Sequence, residues 1–132
     1  SYSSTSLLKF ALVADALASG ATGLLMVAGA GLLTGLLALP EPLLLYAGLF
    51  LLPYAAFVAW AGLQQEIPRR AAGWIAALNI VWSVGSFALI ASDAVSPGLL
   101  GHLFVAAQAT VVAIFAVLQI AGLRQSAQSR PA

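Results

Sequence analysis

The chain has 132 residues, 62% of them hydrophobic and only 7% charged, with a net charge of +1 and no cysteine. A soluble domain carries about 25% charged residues, so this composition excludes a water-covered globule and points to a single-domain integral membrane protein. The lack of cysteine excludes disulfides, thiolate metal centres, iron–sulfur clusters and cysteine nucleophiles, and five scattered basic residues exclude a nucleic-acid partner.

The first span is expected at about Leu7–Gly31. About 20 apolar residues cross the roughly 30 Å hydrocarbon layer as a helix. This one carries an acid, Asp15, six residues beyond Lys9, or about 9 Å along the axis. An ionisable group at that depth is costly and marks a site by default. Lys9, the apolar run and the small residues Ala18, Ser19 and Gly20 loosely imitate a signal peptide. Asp15 interrupts that run and hydrophobicity continues to Leu39, so a retained helix is expected. Pro40 and Pro42 then bracket Glu41 in a turn.

The second span, about Leu43–Leu63, has Pro53 at its middle, where a missing backbone donor should kink it. The polar stretch Gln64–Arg70 leads to a third span at about Ala71–Ala91. A fourth follows Pro97, a favoured first-turn residue, and ends near Leu123 before a polar tail, 124–132. The expected fold is all-α, a transmembrane four-helix bundle. Lys9, Arg69, Arg70, Arg124 and Arg130 all fall on one side of a four-span topology, and Glu41 and Asp93 on the other. The positive-inside rule places both termini in the cytoplasm, and Trp60 and Trp74 suit an aromatic belt at that face.

The halves of the chain align with each other. A shift of 64 lays Asp15, Ser19 and Thr22 onto Asn79, Ser83 and Ser86, and a shift of 60 lays Ala61–Gln65 onto Ala121–Gln125. Two parallel two-helix repeats would follow, related by an axis along the membrane normal. Each polar triplet, spaced i, i+4, i+7, shares one helix face, so Asp15 and Asn79 are expected to meet at one depth. The pair reads either as a proton, cation or polar-ligand site or as an interhelical hydrogen bond that glues two helices. Gln108 and Gln119, eleven apart, share a face and are candidates to line a cavity. His102 is the single histidine and Asp93 the nearest acid in sequence, which allows a relay or an interfacial role. Tyr46, Tyr54 and Trp82 are candidates for a lipid, quinone or pigment pocket, or for plain packing. Small residues four apart (Ala14/Ala18, Ala16/Gly20, Ser19/Gly23) permit close helix approach, inside the bundle or against a second protomer.

No lysine lies deep within a span, no span carries repeated arginines, and no GxSxG, HExxH or paired-carboxylate pattern occurs. The chain therefore reads as non-enzymatic, without cofactor or metal. In its span pattern and its Asp15/Asn79 stripes it resembles small four-span proteins of bacterial inner membranes. It is similar by analogy to small multidrug resistance transporters, which have four spans and one embedded acid in the first. That family's acid is a glutamate where this chain has Asp15, and the charge bias here opposes the dual insertion known in part of that family. Two functions are expected from these residues. One is an accessory or lipid-binding bundle with lipids, a membrane protein or a second copy as partner. The other is an oligomeric transporter or channel using Asp15.

Overall fold

The computed structural model describes residues 2–92 and 95–128. It contains five helices: α1 (Tyr2–Ala28), α2 (Ala30–Leu37), α3 (Glu41–Leu63), α4 (Arg69–Ala91) and α5 (Leu99–Gln128). Four of them, all but α2, are long and apolar enough to cross a membrane. The protein is thus an all-α, membrane-spanning bundle, as its composition requires.

The helix α1 begins at Tyr2, ahead of the expected Leu7, and two other boundaries change the fold. The first helix bends at Gly29 and continues as the separate α2, whereas the sequence pattern suggested one helix to Gly31 and then a turn. The hydrogen-bond ladder runs through the bend: the Gly29 amide donates to Leu25 O and its carbonyl accepts from Leu33 N, both at 2.8 Å. At the far end, α5 stays helical through Gln128, so the first part of the polar tail extends the helix. Asp93 and Arg130 lie outside the described residues, as does the pairing of Asp93 with His102.

Successive spans run antiparallel, and polar contacts clamp both ends. Lys9 Nζ donates to Gly62 O at 3.1 Å and Arg69 Nη1 to Leu123 O at 3.1 Å, which gathers the start of α1, the end of α3, the start of α4 and the end of α5. At the opposite end the Gly98 amide donates to Leu37 O at 3.1 Å. There α2 stops at Ala38, a non-glycine residue in the left-handed region (φ 56°).

In the bundle, α1 packs extensively on α3 and also on α5, and α4 packs on α5, while α3 and α4 touch little. Lipid tails are as apolar as leucine, so such helices associate through close packing and polar contacts rather than through expulsion of water. Glycines supply the closeness. A Cβ on Gly48 would lie 3.0 Å from Gly23 O, and one on Gly122 would lie 2.9 Å from Leu8 Cα. The small-residue face of α1 is therefore used inside the bundle, with Gly23 on Gly48 and Gly20 beside Ala55. Leu12, Leu44, Ile75 and Val58 fill the centre, whereas Leu17, Leu32, Val81 and Val117 point outward, as lipid-facing residues do.

Candidate functional site

Four helices send five hydrogen-bonding side chains to the same point. Asp15 of α1 is fully buried, and its carboxyl is the hub. Ser19 Oγ, one turn on, donates to Oδ1 at 2.9 Å. Oδ2 receives Asn79 Nδ2 from α4 and Gln119 Nε2 from α5, each at 2.9 Å, and stands 2.9 Å from the Tyr54 hydroxyl of α3. The same hydroxyl lies 2.7 Å from Asn79 Oδ1, and Asn79 Nδ2 also donates to Gln119 Oε1 at 2.9 Å. A buried polar group without partners costs several kcal/mol in an apolar medium. Here no buried side-chain nitrogen or oxygen among the described residues lacks one.

The meeting of Asp15 and Asn79 is what the matched polar stripes suggested. Ser83 does not join them; its hydroxyl donates to Ala109 O at 2.9 Å and ties α4 to α5. Gln108 and Gln119 share the inner face of α5 but divide the work, Gln119 at the hub and Gln108 at a cavity wall. Tyr54 and Gln119 are the partners that sequence reasoning did not assign to Asp15. The sequence signal was weak: Tyr54 is the one hydrogen-bonding side chain in the middle of α3, and Gln119 is an amide interrupting the apolar run Val111–Leu123.

Beside the hub, on the side away from Lys9, are two adjoining cavities of about 280 and 310 Å3. Ser19, Tyr54 and Asn79 form one end of the first, and Met26, Leu39, Leu43 and Leu44 lie around the second. Thr22, Trp82, Phe104 and Gln108 border both. Trp82 Nε1 donates to Gln108 Oε1 at 2.8 Å, and Gln108 Nε2 donates to Ser86 Oγ at 3.1 Å and to Val105 O at 3.0 Å. Phe50 of α3 stacks on Trp82 of α4 (centroids 5.8 Å, planes 14° apart) and on Tyr54 (6.0 Å). That ring row bridges α3 and α4 where their backbones stand apart. The Thr22 hydroxyl makes no hydrogen bond among the described residues and faces the cavities.

The remaining candidates lie elsewhere. His102 is exposed on the first turn of α5, with Nδ1 3.0 Å from Gly98 O, and does not approach the hub. Tyr46 is 72% exposed and takes no part in the cavity that Tyr54 and Trp82 border. No group of three or more His, Asp or Glu able to hold a metal occurs among the described residues.

Fold and site together define a class: a four-span α-helical membrane bundle closed over a buried carboxyl, with an apolar cavity at its side. Compared with protein-family models, curated proteins and solved structures, the chain matches none.

Proposed function

We propose that the protein is a non-enzymatic bundle of a bacterial inner membrane that binds one lipid-soluble molecule with a flat, hydrogen-bonding head and an apolar tail. The observation that carries this reading is the cavity pair. The first is lined by Ser19, Thr22, Tyr54 and Asn79 together with the rings of Phe50, Trp82, Phe104 and Phe115; the second is almost wholly apolar. From Asn79 to Leu89 the pair extends ten residues along α4, about 15 Å. That is half the roughly 30 Å hydrocarbon layer and suits one tail. Pockets of about 300 Å3 and upward, apolar with a few convergent polar groups, are the usual form of small-molecule sites. The little-packed α3–α4 edge supplies a lateral entrance from lipid.

Orientation with both termini in the cytoplasm is supported by Lys9, Arg69, Arg70 and Arg124 at one end of the bundle. The two-repeat reading is supported by the recurrence of one contact, a cation on an odd-numbered span reaching a carbonyl near the end of the next: Lys9 to Gly62, Arg69 to Leu123. The transporter reading, with a second copy completing a pathway, draws on the three side chains that touch both Asp15 and the first cavity. Against it, Asp15 itself is sealed behind them.

Trp82 makes the binding reading measurable. With Trp60→Phe and Trp74→Phe it is the sole tryptophan, and a short-tailed quinone titrated into nanodiscs should quench it saturably. Ala47→Phe, which fills the second cavity, should abolish saturation, and Thr22→Val should weaken it about tenfold. Linear quenching indifferent to Ala47→Phe would mean simple collision in the bilayer and would remove this reading.

A further inference from the structure

We infer that the hub is a binding site for one proton, carried on Asp15 Oδ2 and shared with Tyr54. Six polar contacts join the five side chains: Ser19–Asp15, Tyr54–Asp15, Tyr54–Asn79, Asn79–Asp15, Asn79–Gln119 and Gln119–Asp15. The side chains supply five hydrogens for them: one from Ser19, one from Tyr54, two from Asn79 and, of the two on Gln119 Nε2, the one that points to Asp15. The shortage falls on Tyr54, whose single hydroxyl hydrogen faces two acceptors, Asp15 Oδ2 at 2.9 Å and Asn79 Oδ1 at 2.7 Å.

A proton on Oδ2 removes the shortage. The carboxylic acid donates to the Tyr54 oxygen, Tyr54 donates to Asn79 Oδ1, and every contact then holds one hydrogen. Turning over the Asn79 or Gln119 amide does not achieve this. With Asn79 reversed, its oxygen faces Asp15 Oδ2 and Gln119 Oε1; with both reversed, Oδ2 faces two amide oxygens. The surroundings agree with the count. On α1 the nearest cation, Lys9, has its Nζ on Gly62 O. Among the described residues α3, α4 and α5 bring Tyr54, Asn79 and Gln119 to the carboxyl, and no charged side chain. A buried charge with no counter-ion is costly in this medium.

The proton also sets what the hub shows to the cavity. While it is bound, Asn79 Oδ1 is occupied by Tyr54. When it leaves, the Tyr54 hydrogen turns to the carboxylate and Asn79 Oδ1 becomes a free acceptor at the cavity end. This consequence alone rests on the binding reading, and linkage makes it reciprocal: a ligand that donates there favours proton release.

Infrared spectroscopy of the full chain in nanodiscs tests the proton directly. The chain has two aspartates, Asp15 and Asp93, so carbon-13 in the aspartate carboxyl of an Asp93→Asn variant marks Asp15 alone, without altering the hub. At neutral pH we expect an isotope-shifted carbonyl band of a protonated acid, moved to higher frequency by Tyr54→Phe as the acid loses its acceptor. An isotope-shifted carboxylate band in its place would overturn the inference, and a carbonyl band unmoved by Tyr54→Phe would overturn the sharing with Tyr54. Neither result depends on quinone quenching, so the proton site and the cavity reading stand or fall separately.

Discussion

A carboxyl at the centre of four helices makes its neighbours unequal. Gln119 contributes a donor to Asp15 and an acceptor to Asn79, so Gln119→Leu removes two contacts and leaves a buried Asn79 hydrogen unused. Orphaning a buried polar group costs about 1–3 kcal/mol. Ser19→Ala removes one neutral hydrogen bond, worth about 1 kcal/mol. Thermal unfolding in nanodiscs should rank Gln119→Leu clearly below Ser19→Ala, and equal melting points would mean that the hub is not the organising contact. Asp15 and Asn79 were legible in the sequence because both break long apolar runs at matching positions. Tyr54 was not, because a tyrosine in an apolar helix looks like packing until its hydroxyl is seen to have a destination. Gln119 was placed on one face with Gln108 as a cavity-lining residue, but its contact with Asp15 was not legible, because the spacing within α5 does not say which residues of α1 and α4 lie opposite.

At the scale of the helix, two local features carry opposite expectations. Ala38 ends α2 with φ 56°, a conformation that costs an L-residue about 1–2 kcal/mol and that glycine adopts freely. Ala38→Gly should therefore stabilise the protein by about 1 kcal/mol, read as a raised unfolding midpoint; a lowered midpoint would show that the Ala38 methyl packs usefully. Gly122 lies so close to α1 that an added Cβ would fall 2.9 Å from Leu8 Cα and 3.0 Å from Leu8 N. Backbone cannot yield as a side chain can, so Gly122→Leu should cost about 1–3 kcal/mol and loosen the α1–α5 contact. Unchanged amide exchange in α1 would contradict this. The four spans were plain from hydropathy, but the bend at Gly29 was not. A glycine in an apolar helix permits a bend without requiring one, and here the position of α2 against α3 and α5 decides.

For the molecule as a whole, the cysteine-free chain offers a clean test of orientation. Gln65→Cys and Ser96→Cys place single thiols on exposed residues of opposite loops. In intact cells a membrane-impermeant maleimide should label Ser96→Cys at once and Gln65→Cys only after lysis; the reverse order would invert the assigned topology. The loose α3–α4 edge has a further consequence. The pairs α1/α3 and α4/α5 are joined along the α1–α5 line, like two panels on a hinge, with the Phe50–Trp82 stack and the Tyr54–Asn79 hydrogen bond bridging the loosely packed side. A ligand of the proposed kind would enter by this side, from acyl chains and not from water. Occupancy would then follow the mole fraction of ligand in the membrane, and diluting the bilayer with inert lipid would empty the cavity at constant total concentration.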